Sequence, residues 1–388
     1  KKFLIIDWIC IIVTFIIGIY VIANYDNYVV IMQTNRLTPE LYIFGFLTTL
    51  LVLEASRRVL GYVLPGIAIA TILYALFGGN LPGILGHRGY SLQRAVVTIF
   101  SDQGVYGTPI AVSATTIYIF LLFGAFLGAS GADKIFRDLS VAFAGKKRGG
   151  PAKIAAVSSC LFGSISGSAV ANVVSTGAFT IPLMKRLRYP SALAGAVEAV
   201  ASTGGQLAPP IMGAAAFIMA EIIGTSYLSI AAAATLPAVL FYFGVFATVH
   251  ITAQQEQLGM VPKEQIPSWA SVITIQRLAP IVLSFGGLAY GVLIGRSLPT
   301  SAFYGIIGAI AGMLIALLFA PKRSIQIVSQ ENEIFQESLD LSETVKASAG
   351  ALFLARLRSA LDEGATGLII VGVLLAGAQI LVSLINTT

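Results

Sequence analysis

The sequence predicts an all-α, polytopic membrane protein of about nine crossings, with one re-entrant helical hairpin and one broken helix. Three observations carry this. Of 388 residues, 56% are apolar and 11% charged, with a mean hydropathy of +0.86, far from the roughly one-quarter charged composition of soluble domains. Apolar runs of about the length that crosses a ~30 Å hydrocarbon layer recur along the chain: Leu4–Ala23, Leu41–Leu53, Val59–Phe77, Ile110–Ala129, Leu228–Val249, Ile275–Ile294, Ala302–Ala320 and Leu368–Ile385. Finally, the apolar segment Cys160–Leu183 is broken in its middle by glycine and hydroxyl residues and flanked by basic clusters, Lys146-Lys147-Arg148 before it and Lys185, Arg186 and Arg188 after it. Positive clusters mark the cytoplasmic side, so this segment enters and leaves by one face.

The same rule orders the remaining elements. Lys1-Lys2 holds the N-terminus in the cytoplasm, and with no small-residue cleavage site behind it Leu4–Ala23 resembles a signal-anchor. The second span returns to Arg57-Arg58 and the third exits near Phe77. Gly78–Gly107 is too polar and glycine-rich to span, and Leu92–Phe100 is expected as a short helix in the outer interface. Ile110–Ala129 comes back inward, ending at Lys134, Arg137 and the Lys146–Arg148 cluster, and the hairpin, residues 151–184, stays on that side. Residues 191–223 must cross as two half-helices, because Gly204-Gly205 loosens the centre and Pro209-Pro210 removes two backbone donors. Leu228–Val249 leads to a cytoplasmic loop, His250–Ser268, and two spans run out past Arg296 and back to Lys322-Arg323. Glu331–Glu363 is charged at helical spacing, as an amphipathic arm on the cytoplasmic surface. Leu368–Ile385 then runs outward, opposite to Ile110–Ala129; as the opening of a second repeat it makes the repeats inverted. Thr388 comes before any second hairpin, so a longer protein is expected.

Irregular backbone at membrane depth survives only where protein buries it or water lines it, and half-helix ends are where carriers bind ions and substrate. The sequence therefore points to a solute carrier. Ser164, Ser166 and Ser168 at the hairpin turn, Asn172 one turn on, and Thr203, Gly204 and Pro209 at the break are expected to cage one coupling ion, sodium, with a proton as the alternative. Close helix packing by small residues is the other explanation. The N-terminus of the second half-helix suits a carboxylate, which makes Gly167, Ser168, Asn172 and Gln206 candidate substrate contacts. Glu198 is either a proton relay or a carboxylate tied to neighbouring hydroxyls to hold the break. Glu221 reads as structural, and Glu54 with Arg57 and Arg58 as the anchor of a helix end.

Other classes fit less well. Cys10 and Cys160 sit in apolar runs and His87 and His250 lack ligand spacing, so neither a disulfide framework nor a transition-metal site is expected. No catalytic residue is assigned, because the many serines lack a general base. No G-x-x-x-x-G-K-[ST] occurs, against an ATP-driven pump. A channel filter relies on symmetric repetition of one loop, whereas the two interruptions here are unlike. The net charge of +6 is a topology signal, not a nucleic-acid patch, and no cofactor is expected beyond the coupling ion.

From Gly149 to Glu221 the motifs G-G-P-A-K-I-A-A-V-S-S, F-G-S-I-S-G-S-A-V-A-N-V-V-S-T-G-A-F-T-I-P-L-M-K-R and A-G-A-V-E-A-V-A-S-T-G-G-Q-L-A-P-P-I-M-G-A-A-A-F-I-M-A-E closely resemble the fused membrane (permease) subunit of tripartite ATP-independent periplasmic (TRAP) transporters, TAXI type. Ala75–Leu92 and Gly107–Thr115 are similar to the same type. The resemblance implies small-subunit-like scaffold helices over residues 1–105 and the first large-subunit repeat over 106–273. Connecting helices and the cytoplasmic arm would fill 274–365, and the first helix of a second, truncated repeat 366–388. It implies a periplasmic TAXI-type substrate-binding protein as partner, besides the lipid bilayer, and a small organic anion, dicarboxylate or acidic amino acid, as substrate. It also implies sodium symport by an elevator mechanism and a bacterial or archaeal inner-membrane location. Composition adds that bulky Phe3–Phe77 suits a stationary scaffold and Gly/Ala/Ser-rich Pro151–Ile223 a moving element. Docking of the partner is expected near His87, Arg88, Arg94 and Arg296.

Overall fold

A computed structural model describes residues 5–25, 28, 38–83, 86–318 and 349–387. Every regular element among them is helical. Seven helices are long and apolar enough to cross a membrane: Ile5–Ala23, Val63–Asn80, Thr108–Ala144, Tyr227–Gln255, Ile275–Leu293, Leu298–Leu318 and Gly350–Thr387. Two expected crossings stand outside that set. Pro39–Leu60 is one helix, but its uncharged stretch, Leu41–Leu53, rises only about 20 Å at 1.5 Å per residue, short of a ~30 Å hydrocarbon layer. Residues 191–223 form two separate helices, Ser191–Gly204 and Ala214–Ile223. Lys1-Lys2, Lys322-Arg323 and residues 331–348 of the expected surface arm lie outside the described residues. The described part of that arm, 349–363, is the start of one continuous helix, Ala349–Thr387.

The chain divides into two units, residues 1–114 with 367–388, and residues 115–366. In the first, Ile5–Ala23 is apolar on every side and buries only Ile17. Ser91 caps Leu92–Phe100 by accepting the Arg94 N–H at 3.2 Å, a contact worth about 1 kcal/mol to a helix. That short amphipathic helix turns Ala95 and Ile99 into a core with Ala68, Ala75 and Tyr90, joined by Ile380 and Leu384 of the final helix. The final helix thus contributes to the core of this unit through Ile380 and Leu384. His87 pins its own loop. Its Nε2 donates to Tyr74 O at 3.0 Å while Nδ1 accepts the Gly89 N–H at 3.1 Å, and a Cβ on Gly78 would meet the ring at 2.0 Å.

In the second unit, Ile275–Leu293 and Leu298–Leu318 pack backbone to backbone in antiparallel register: a Cβ on Gly308 would meet Leu283 O at 2.1 Å and one on Gly312 would meet Pro280 Cα at 2.3 Å. Lipid supplies no hydrophobic drive between helices, so small residues that admit close approach supply the contact. The hairpin has arms Gly150–Ser166 and Ala169–Arg186. Its turn needs Gly167, which sits at φ 62°, where a side chain would be strained. Ser168 then caps the second arm, its hydroxyl accepting from Ala171 N–H at 3.3 Å. Ala152 and Ala155 of the first arm and Met184 of the second share a core with Ala194 and Val197 of the broken helix and Val249 and Ala253 of Tyr227–Gln255.

Candidate functional site

The hairpin turn meets the break of the broken helix. The Ile211 N–H donates to Ser164 O at 3.0 Å, and the Gly213 N–H closes the break by donating to Gln206 O at 2.9 Å. Between them Met212, 2% exposed, is held at φ 61°, a left-handed conformation that costs a non-glycine residue of order 1–3 kcal/mol and is typical of ligand clamps. Its carbonyl is aimed at the turn: a Cβ on Gly167 would meet Met212 O at 2.3 Å. The first arm and the break also touch through two glycines, since a Cβ on Gly163 would lie 2.5 Å from Gly205 Cα. The Pro209–Pro210 peptide bond is cis.

Ser164, Ser166, Gly167 and Ser168 are therefore brought against Ile211–Gly213. The Ser164 hydroxyl donates to Leu161 O at 2.9 Å, Ser168 serves as the cap, and Ser166 makes only long contacts to the Ser168 backbone, 3.4 and 3.5 Å. Each hydroxyl oxygen keeps a lone pair for a cation. Gly204 packs under the Phe241 ring, whose nearest atom would lie 2.1 Å from an added Cβ. Pro209 is half-buried, while Gln206 and Thr203 are exposed. Thr203 is not drawn to the turn; its hydroxyl donates to Ala199 O of its own helix at 2.8 Å. Glu221 is exposed as well.

Asn172 and Glu198 belong to a second, fully buried layer, both at 0% exposure. The Asn172 amide donates to Ser159 O at 2.8 Å and Ser202 O at 3.3 Å, tying both hairpin arms to the broken helix, and its Oδ1 accepts from Thr176 at 3.2 Å. On Glu198, Oε1 accepts from Ser159 at 3.1 Å, Thr176 at 2.5 Å and Ser202 at 3.1 Å, and Oε2 accepts from Thr180. Hydroxyls from three helices thus satisfy one buried carboxylate, as burial demands. Ser159, Thr176, Thr180 and Ser202 were not singled out by the sequence. The signal was available as two i, i+4 pairs, Thr176 with Thr180 and Glu198 with Ser202, each placing its members on one helix face. Lys153 was missed as well. It is 6% exposed and its Nζ bonds Arg148 O at 2.8 Å and His250 Nδ1 at 3.0 Å, fixing the base of the hairpin to Tyr227–Gln255.

This architecture, apolar helices around a hairpin that abuts a helix break, is that of a multi-pass membrane protein. Residues 47–388 match the tripartite ATP-independent periplasmic transporter DctM component, and the chain belongs to that family, in the bacterial inner membrane. It is 30% identical over 205 residues to the C4-dicarboxylate TRAP transporter large permease protein DctM of Pseudomonas aeruginosa, covering 50% of this chain and 47% of that one. Identity to the 2,3-diketo-L-gulonate TRAP transporter large permease protein YiaN of Escherichia coli is 32% over 163 residues, 41% of this chain and 36% of that one. With the ectoine TRAP transporter large permease protein TeaC of Halomonas elongata it is 31% over 195 residues, 49% and 43%. The chain spans less than half the length of each of these three relatives.

Proposed function

We propose that the chain is the membrane part of a binding-protein-dependent secondary carrier importing a small organic anion in symport with sodium. The observation that carries this is the abutment of two helix interruptions, with the Met212 carbonyl against the Gly167 turn and the Ser166 hydroxyl free of short hydrogen bonds. Backbone oxygens, a lightly engaged hydroxyl and a half-helix N-terminus in one place suit a small cation beside a carboxylate. The relatives named for C4-dicarboxylate and 2,3-diketo-L-gulonate support an organic acid as cargo. The finer reading is a fused, TAXI-type permease of about nine crossings, in which residues 151–223 move as an elevator against a scaffold that includes residues 1–105. A periplasmic binding protein would dock near Arg88, Arg94 and Arg296.

The test is uptake by proteoliposomes of the complete permease with its binding protein, in a sodium gradient at constant pH. Ser166→Ala should raise the sodium concentration for half-maximal uptake about tenfold, since losing one neutral ligand costs on the order of 1–3 kcal/mol. By linkage, apparent substrate affinity should fall in parallel at low sodium and recover at high sodium. Ser166 is preferred to Asn172, whose amide holds the fold together. A second reading, proton coupling, is favoured by the buried Glu198 carboxylate and its hydroxyl shell. Sodium-independent uptake that follows the pH gradient and is abolished by Glu198→Gln would replace the sodium reading with that one.

A further inference from the structure

The second unit holds a cavity away from the turn and the break, between Asp133–Ala144 and the two hairpin arms. Its volume is about 80 Å³ and its walls include Asp133, Lys134, Arg137, Ser158, Ser175 and Thr176. Ser158 is the informative member. It is 2% exposed and its hydroxyl finds no partner, as is also true of the Tyr189 hydroxyl in this unit, whereas Ser140 and Ser284 turn back onto their own helices, to Phe136 O at 2.6 Å and Pro280 O at 2.5 Å. A buried donor left unpaired beside a cavity is available to a water or a ligand that enters it. Arg137 supplies the charge. Its guanidinium lies 5.3 Å from the Phe179 ring centre, an arrangement that occupies its face and leaves its N–H edge for an anion. Among the described ion pairs none involves Arg137, while the nearby Arg277–Asp138 pair is closed at 2.7 Å.

We propose that this cavity is a carboxylate site, which binds the head of a small organic anion between the Arg137 guanidinium and the Ser158 and Ser175 hydroxyls. The positive charge comes from Arg137, with Asp133 on the same wall. Size limits what enters. The volume is about half of the ~150 Å³ that holds a benzene ring, which suits a carboxylate with its adjoining carbon, and the exposure of Asp133 and Ser175 marks the side on which the rest of the anion protrudes. Thr176 lines the cavity and also donates to Glu198 at 2.5 Å, so the site abuts the layer that ties the hairpin to the break. As a station for cargo beside the basic end of the hairpin, the site rests on the carrier reading above; as a carboxylate site it is testable alone.

The experiment is thermal unfolding of the purified chain in nanodiscs, titrated with acetate and with succinate at constant ionic strength, chloride being the control. Both carboxylates should raise the midpoint saturably, as a ligand that binds only the folded state must, and chloride should not. Half-saturation should weaken about tenfold or more in Arg137→Gln and several-fold in Ser158→Ala, because each removes a donor to a charged ligand. Lys263→Gln, at an exposed position in the short helix Lys263–Gln265, should leave it unchanged. No saturable rise in the wild-type chain, or equal half-saturation in wild type and Arg137→Gln, overturns the site; if Arg137→Gln fails to fold, an unchanged Ser158→Ala does so. The carrier reading fails separately. Arg137-dependent binding in a complete permease that imports nothing upholds the site and sinks the carrier, while sodium-driven uptake without carboxylate binding to this cavity does the reverse.

Discussion

Two helices of similar length, Ile5–Ala23 with 19 residues and Gly150–Ser166 with 17, are both free of acidic residues past their first turn, and they end in opposite environments. The first carries Ile, Trp and Phe and leaves them outside: Ile5 is 80% exposed and Phe15 67%. The second carries Gly, Ala and Ser and disappears, with Ala152, Ile154, Ala155, Ala156 and Ser159 all at 0%. In water the bulky helix would be the better core element. In lipid, which is as apolar as any side chain, burial goes instead to the helix whose small residues let neighbouring backbones approach and whose hydroxyls need partners.

The comparison breaks most readily at the Gly163–Gly205 contact. An added Cβ would meet Gly205 Cα at 2.5 Å and the Asn172 amide nitrogen at 2.6 Å; the first is backbone and the second is held by its bonds to Ser159 O and Ser202 O, so Gly163→Val should abolish folded, monodisperse protein in detergent. Gly195, on the helix Ser191–Gly204, has nothing within 4 Å of an added Cβ. There Gly195→Ala should be neutral or stabilising by up to about 1 kcal/mol, the helix-propensity difference. A Gly163→Val chain with a wild-type unfolding midpoint would show that the close approach is not what buries the hairpin.

A smaller effect separates two phenylalanines. Phe123 is 0% exposed, sits 6.0 Å edge-to-face from Phe285 and lies over Gly305, where an added Cβ would meet its ring at 2.3 Å. Phe123→Ala should lower stability by about 3–5 kcal/mol, the range for emptying a large core site, whereas Phe15→Ala should stay within about 0.5 kcal/mol, as at an exposed position. Equal losses at both positions, read from unfolding midpoints in the same detergent, would mean that Ile5–Ala23 is covered by protein and not by lipid.

The part of this contrast legible in the sequence is the part written in composition and charge. The Gly-Ser turn and its flanking basic clusters were legible, and two helices, Gly150–Ser166 and Ala169–Arg186, stand either side of that turn. Gly-Gly and Pro-Pro located the break. Its exact extent was not legible, because Ile211–Gly213 stay non-helical beyond the prolines for a tertiary reason, the bond from Ile211 N–H to Ser164 O. For the same reason Asn172 and Glu198 could be named but not given partners: a hydroxyl on one helix does not reveal which other helix will turn a carboxylate toward it. Ser158 carried no signal, since a serine that fails to bond back to its own helix is written like one that does.

The smallest effect concerns the polar end of the bulky region. Beyond Leu41–Leu53, Glu54 accepts from Arg57 Nε at 2.8 Å and Arg58 Nε at 2.6 Å, and Arg58 also meets Asp7. These hydrogen bonds, Arg57 first, hold the Glu54 carboxyl down from 4.5 to about 2. A depressed carboxylate stabilises the fold above its unfolded value and loses that contribution as pH falls, so here the loss runs from about pH 4.5 down toward 2 and nothing changes between pH 7 and 5. The side chains are 34% to 41% exposed, where solvent screens an ion pair to a fraction of its apparent strength. Glu54→Gln should therefore lower the unfolding midpoint by no more than about 2 °C at pH 7. In 1 M salt the difference should vanish. A drop comparable to that of Phe123→Ala would mean that charge, and not the packing of small residues, fastens this region.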